Sequence, residues 1–118
     1  MIGCALKGYR GIPCSPGRPD LHHGISRQQL RGSPRAKKYV DAHMDIFGFL
    51  VCNAHNAQTK VADLPEARAI LFARRCEEIG AAVVGAHLER LRRVMKSSPP
   101  ELRLEAILNY LPGMMVNG

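Results

Sequence analysis

The sequence contains no tryptophan, and aromatic residues make up only 5% of it. A core with so few aromatic rings has to be built from leucine, isoleucine, valine, alanine and methionine. The 118 residues form at most a modest core in one domain. A bound metal ion adds much to the stability of so small a chain. The scarcity of aromatic residues therefore favours a zinc site.

Long apolar runs are also missing. No stretch reaches the roughly 18 apolar residues of a membrane span, which excludes a transmembrane protein. The first ten residues lack the apolar run of a secretory signal, so we expect an intracellular, cytoplasmic protein with reduced thiols. Its cysteines are then expected to be metal ligands or core residues, and they are Cys4, Cys14, Cys52 and Cys76.

Acidic residues are scarce in the first half of the chain. Residues 1–60 contain nine Lys and Arg against three acidic residues, whereas residues 61–118 contain eight against seven. This excess accounts for most of the net charge of +7. A basic surface attracts polyanions such as DNA or RNA, because each neutralised phosphate releases counterions. A basic surface without any ligand is the alternative that charge alone leaves open.

The first 38 residues are rich in glycine and proline and show no sustained helical period, which predicts loops and short strands. We predict strands at Asp20–Ser26 and Phe47–Cys52. A basic connection, Arg27–Lys38, lies between them. With helices predicted further along the chain, the fold class is α+β.

Helical patterns begin at residue 63. Asp63 is predicted as the N-cap of a helix, with Glu66 completing a capping box and Gly80 ending it. A second helix covers Val84–Met95 and carries His87 on its apolar face as a structural histidine. A third starts with Ser98 as N-cap and ends at Pro112-Gly113. We expect residues 63–118 to pack on a loop-rich part, residues 1–62, in a single domain.

Two short motifs carry the candidate chemistry. His22 and His23 are adjacent on the first predicted strand, and Cys52–Asn56 follows the second. Adjacent strand residues point to opposite faces, so one histidine can bind a metal while the other acts as a general base. Chance histidines on a loop, a buried Cys52 and an Asn56 that caps a helix are the competing interpretations.

These motifs and their surroundings make the chain similar to a known family over roughly residues 14–72. The matching elements, in chain order, are Pro13-Cys14, Asp20-Leu21-His22-His23, a basic loop, an apolar strand, Leu50-Val51-Cys52, His55-Asn56, Lys60 and Asp63-Leu64-Pro65. The pattern resembles the HNH endonucleases, and within them the phage recombination endonuclease VII group.

The resemblance implies a ββα-metal finger, made of two short antiparallel strands and a helix, followed by two or three packed helices. It implies an endonuclease that hydrolyses phosphodiester bonds in DNA, with His23 as the base. His22 and Asn56 would hold one catalytic ion, for which Mg²⁺ or Mn²⁺ is suitable because both accept oxygen ligands. The alternative is a non-catalytic, zinc-stabilised module that binds nucleic acid, and a third interpretation is a helical interaction protein.

The resemblance also implies a structural zinc ion, with Cys52 and His55 as one ligand pair. Cys14 stands where another ligand belongs, but glycines occupy the positions three residues away on either side. Cys4 lies ten residues upstream and reaches the site only through a long loop. The central asparagine of the family is missing, and His43 and Asp45 are the polar residues nearest its place.

The same resemblance implies DNA as the partner, either double-stranded or branched, in a bacterial or phage-infected cell, and it allows a homodimer. The basic residues that follow the histidine pair are the best candidates for phosphate contacts. Together with one lysine after the second motif, they are Arg27, Arg31, Arg35, Lys37, Lys38 and Lys60.

Overall fold

Two short antiparallel strands form the only sheet among the residues that the computed structural model describes, 3–95 and 99–110. Strand β1 is Asp20–His23 and strand β2 is Gly48–Val51. His22 lies opposite Phe49 in the register, so the two side chains share one face of the sheet. Both strands lie within the segments that the sequence predicts, and each is shorter than predicted.

The connection between the strands is helical. It contains three helices, α1 (Arg27–Leu30), α2 (Pro34–Ala42) and α3 (Met44–Phe47). Ser26 forms a capping box with Gln29 at the start of α1, and Ser33 Oγ accepts a hydrogen bond from Ala36 N in the first turn of α2. The predicted loop at Arg27–Lys38 is therefore wrong, because helices this short show no sustained apolar period.

Helices dominate the rest of the described chain. A π-helical turn and a 3₁₀ turn lead from β2 into three helices and a further 3₁₀ turn. In chain order they are Ala54–Gln58, Val61–Asp63, α4 (Pro65–Ile79), α5 (Ala81–Val94), Pro100–Leu102 and α6 (Leu104–Leu108). Two strands and several helices confirm the α+β class. Within the described ranges, no helix has both the length and the apolarity needed to cross a membrane.

The predicted helix ends have mixed outcomes. Gly80 ends α4 as expected, with a φ of 98° that favours glycine. Asp63 is not the N-cap of α4; Leu64 has that position and no side chain caps the helix. The Asp63 carboxylate instead accepts a hydrogen bond from Arg68. The predicted cap at Ser98 and the predicted end at Pro112-Gly113 lie outside the described residues.

The core contains the aliphatic residues that the composition requires, and the three phenylalanines of the chain meet at its centre. Phe72 from α4 contacts Phe47 and Phe49 edge to face, with ring centroids 6.1 and 5.2 Å apart. All three are buried. Such pairs add about 0.5–1.5 kcal/mol each beyond their area burial. Three of the six aromatic residues are thus concentrated where α4 packs on α3 and the sheet. Cys76 of α4 is buried, as predicted for a core cysteine.

Gly24, directly after His23, is where the phenylalanine cluster allows no side chain. A Cβ there would lie 2.6 Å from Cε2 of Phe49 and 2.9 Å from Cζ of Phe72. We expect Gly24→Ala to lower the free energy of unfolding by about 1–3 kcal/mol, because buried rings have to move. Urea denaturation measures this. Gly3→Ala is the matched control, since no atom lies within 4 Å of its Cβ. Equal effects of the two substitutions would contradict the packing argument.

Tyr39 of α2 and His43 at the end of α2 contact His87 of α5. Tyr39 Oη and His87 Nδ1 are 2.7 Å apart, and the His43 ring lies 5.0 Å from that of His87. Burial lowers the pKa of His87, and His43 and Arg90 lower it further, while Asp45 partly opposes them. A neutral His87 with an unprotonated Nδ1 accepts a hydrogen bond from the Tyr39 hydroxyl. This contact agrees with the structural role predicted for His87.

The lowered pKa of His87 makes stability depend on pH. The unfolded chain takes up a proton near the ordinary histidine pKa of about 6.5, whereas the folded chain resists it, so stability falls as the pH drops below that value. We expect His87→Gln to make this fall shallower, because glutamine also accepts a hydrogen bond and has no charge to gain. Urea denaturation between pH 5 and pH 7, about the range where histidine titrates, compares the two proteins. An unchanged slope would contradict this account.

Candidate metal centre and adjoining cleft

Three cysteines and one histidine converge at the end of β2. The ligand atoms of Cys4, Cys14, Cys52 and His55 all lie within 4.8 Å of one another. From His55 Nδ1, the thiol sulfurs of Cys4, Cys14 and Cys52 are 3.7, 3.8 and 3.1 Å away. In the described part of the chain, this is the one group of three or more Cys, His, Asp or Glu side chains that is close enough to share an ion.

Hydrogen bonds between segments that are distant in the sequence bring the ligands together. Ala5 N donates to Leu50 O at 2.8 Å, which attaches the segment that carries Cys4 to β2. Ala54 N donates to Ser15 Oγ at 3.0 Å, which attaches the segment that carries Cys14 to the turn after β2. Cys52 lies between β2 and that turn, and His55 lies within the turn.

The electrostatics of the cluster favour a thiolate. Burial opposes ionisation of Cys52, but hydrogen bonds from His55, the Ser15 backbone and Cys14 outweigh burial and lower the Cys52 pKa to about 5. Desolvation and the nearby thiols of Cys52 and Cys4 raise the pKa of Cys14 to about 11. One negative charge therefore forms readily in the cluster and opposes the next, which a bound cation would relieve.

The donor set fits zinc. Zinc takes four ligands in a tetrahedron, and its usual bond lengths place sulfur and nitrogen ligands about 3.6 Å apart. The three sulfur to nitrogen distances lie on either side of that value. His55 Nε2 is 3.3 Å from the Tyr9 carbonyl, which orients the ring and leaves Nδ1 for the metal. Cys14, Cys52 and His55 can therefore hold a metal such as zinc, together with Cys4.

Sequence reasoning considered Cys4 as a ligand that only a long loop could bring to the site, and did not include it among the predicted ligands. The absence of a local Cys-x2-Cys pair left one position open, and two of the four cysteines, Cys4 and Cys76, were the candidates for it. Cys76 is buried in α4, so Cys4 is the remaining one. No disulfide joins the four cysteines, and all four thiols are free.

A cleft of about 650 Å³ lies beside this centre and contains the three predicted catalytic-site residues. His22 and His23 come from β1, and Asn56 comes from the turn after β2. The backbone of Asn56 is fixed, because its amide donates to Cys52 O at 3.0 Å and its carbonyl accepts from Lys60 N at 2.8 Å. Three charged residues that the sequence analysis did not assign to the site also line the cleft, and they are Asp63, Arg68 and Glu101.

His22 is the buried member of the histidine pair, with 8% of its surface exposed, while His23 is half-buried. Burial lowers the pKa of His22, and the Arg68 charge lowers it further, against opposing effects of Asp63 and of the Ala62 backbone. His22 Nε2 is buried and has no hydrogen-bond partner among the described residues. A neutral imidazole with an unpartnered nitrogen is the form that binds a metal ion.

Arg68 is a buried, charged residue that lines the cleft. It is 5% exposed and donates from Nη1 to the His23 carbonyl and from Nη2 to Asp63 Oδ1, both at 3.1 Å. These bonds tie α4 to His23 at the end of β1. No motif pointed to Arg68, since in the sequence it is one of several arginines in a helical pattern.

The predicted phosphate-binding residues divide into two groups. Arg27, Arg31 and Lys37 line a second cavity, which also contains His23. The other three are exposed and line neither this cavity nor the cleft, and they are Arg35, Lys38 and Lys60.

His43 and Asp45 are the polar residues nearest the place of the family's central asparagine, and neither lines the cleft. His43 Nδ1 is 2.9 Å from the Tyr39 carbonyl, and the His43 ring packs against Tyr39 and His87. Asp45 is exposed on α3. The position that the asparagine would fill is therefore taken by neither side chain.

No known protein family, no curated protein and no solved structure matches this chain. The function of the chain therefore has to be inferred from the geometry of its site.

We expect the purified protein to contain about one zinc ion per chain, in keeping with a single four-ligand centre. Cys4→Ser should weaken zinc binding by more than the roughly 10- to 100-fold that loss of an outer hydrogen-bond partner costs. Elemental analysis and competition with a chromophoric chelator measure both quantities. Cys76→Ala is the control, because that thiol is outside the cluster. Unchanged zinc affinity in Cys4→Ser would exclude Cys4 as a ligand.

Proposed function

We propose that this protein is a metal-dependent endonuclease of the HNH type that hydrolyses phosphodiester bonds in DNA. The observation that carries the proposal is the meeting of His22, His23 and Asn56 in one cleft. Asn56 lies more than thirty positions from the adjacent histidines along the chain, and the antiparallel pairing of β1 with β2 brings the two segments together. The two strands and α4 follow one another in the chain order of a ββα-metal finger, with helices α1 to α3 in place of the expected loop between the strands.

In the proposed reaction, His23 takes a proton from water as the hydroxide attacks phosphorus. A phosphorus to oxygen bond on the opposite side breaks, and the leaving oxygen is later protonated from solvent. His23 suits this step because its side chain is half-buried at the cleft and its carbonyl is held by Arg68. Arg68 keeps the end of β1 in place while the imidazole exchanges its proton.

His22 and Asn56 would hold the catalytic ion, with an imidazole nitrogen and a carboxamide oxygen as ligands. A bound Mg²⁺ or Mn²⁺ would supply charge stabilisation for the leaving oxygen. The unpartnered Nε2 of His22 supports this role. Asn56 directly follows His55, so a zinc ion on the cysteine cluster would also fix the turn that presents Asn56 to the cleft.

DNA as the substrate is supported by the charge distribution. The net charge of +7 is concentrated in the half of the chain that contains His22 and His23. Three cationic side chains also line a cavity next to His23. The cleft needs no residue from a second copy, so the proposal does not depend on a homodimer. The competing function is a zinc-stabilised module that binds nucleic acid without cutting it.

We expect His23→Ala to reduce Mg²⁺-dependent or Mn²⁺-dependent nicking of plasmid DNA by about 10²- to 10⁴-fold, the usual contribution of a general base. Binding of DNA should persist, because the cations remain. A gel assay for nicked plasmid and a fluorescence anisotropy titration measure the two effects. His43→Gln is the matched control, since His43 packs between α2 and α5 and does not line the cleft.

Asn56→Ala and Asn53→Ala separate a metal ligand from a structural turn residue. Both asparagines lie in the turn after β2, but only Asn56 lines the cleft. The first substitution should raise the metal concentration needed for nicking, and the second should leave it unchanged. Absence of nicking by the unsubstituted protein with Mg²⁺ and Mn²⁺, on DNA that it binds, would favour the non-catalytic module instead.

A further inference from the structure

A second cavity of about 500 Å³ lies next to the cleft and is lined by residues of α1 and α2. We call it the basic groove; its lining residues are His23, Arg27, Leu30, Arg31, Pro34, Lys37 and Asp41. His23 and Arg27 line both the groove and the cleft. The two cavities are therefore adjacent, and the proposed base stands where they meet.

The charges of the groove are unequal. Arg27, Arg31 and Lys37 oppose one carboxylate, Asp41, which leaves two net positive charges. Lys37 Nζ lies 2.8 Å from Asp41 Oδ2, so these two side chains neutralise each other. The attraction for an anion therefore comes from Arg27 and Arg31, which are both exposed.

We propose that the basic groove binds the sugar-phosphate backbone of the DNA strand that continues from the phosphate held in the cleft. An extended polyanion is the ligand that fits, because one continuous strand can occupy both cavities as it passes His23. The contacts would go to backbone phosphates and would therefore be independent of base sequence. The proposal rests on the proposed function for the choice of DNA, but strand binding is measurable without any cleavage.

The same helices offer a matched control. The sequence predicted phosphate contacts for Arg35 and Lys38 as well, but both are exposed on α2 and line neither cavity, so the groove proposal excludes them. They are separated from Arg31 by only a few residues and have the same charge. General attraction between a basic protein and DNA would use both pairs of cations equally, whereas a strand bound in the groove uses Arg27 and Arg31.

The test measures how salt weakens the binding of a short fluorescein-labelled DNA. All proteins carry His23→Ala, so that the probe stays intact, and anisotropy titrations are made over a range of NaCl concentrations. Removing two phosphate contacts should lower the slope of log affinity against log salt by about 1.4 on single-stranded DNA or 1.8 on a duplex. We expect this loss in Arg27→Gln/Arg31→Gln and no loss in Arg35→Gln/Lys38→Gln.

A charge-preserving variant guards against a folding defect. Arg27→Lys/Arg31→Lys should retain the slope, because each phosphate contact needs a cation there. Equal losses in the two glutamine variants, or no loss in either, would overturn the groove proposal. So would a loss in the lysine variant that matches the loss in Arg27→Gln/Arg31→Gln.

A parallel assay for nicking by the protein with His23 intact keeps the two proposals apart. Selective loss of binding in Arg27→Gln/Arg31→Gln without any nicking by the intact protein would support the groove and contradict the nuclease. Nicking by the intact protein with full binding in both glutamine variants would support the nuclease and overturn the groove.

Discussion

The pairing of β1 with β2 holds every part of the candidate site in position. Each strand has four residues, yet β1 ends in His22 and His23, and β2 is followed at once by Cys52. The free edge of β2 receives the segment that carries Cys4 through the bond from Ala5 to Leu50. Buried phenylalanines on one face of the sheet and Arg68 at the end of β1 fix the pairing from the side of α4.

The turn after β2 serves two neighbouring regions. Cys52 and His55 belong to the metal centre, whereas Asn56 lines the cleft with the histidine pair. An imidazole and a carboxamide at adjacent positions thus face two different sites. Any ion that orders the cysteine cluster also orders the backbone that presents Asn56. The link between the two sites is covalent and one residue long.

Local patterns predicted the parts of the structure that local contacts determine. An apolar run predicted β2, and the family resemblance implied Cys52 and His55 as two metal ligands. Cys4 was not among the predicted ligands because it reaches the cluster through a pairing with β2 that no local pattern reveals. Helices α1 to α3 were missed for a different reason, since they are too short to show a period. Arg68 was also missed, because its place in the cleft depends on how α4 packs on the sheet, which is likewise a non-local feature.

The four metal ligands are widely spaced along the chain, so bringing different pairs of them together costs different amounts of chain entropy. His55 is three residues from Cys52 but 51 residues from Cys4. The cost of closing a loop grows with the logarithm of its length, so the larger closure costs about 2.5 kcal/mol more than the smaller one. Cys52 and His55 therefore form a local pair, whereas Cys4 and Cys14, 51 and 41 residues from His55, are brought to the centre only by the folding of the rest of the chain.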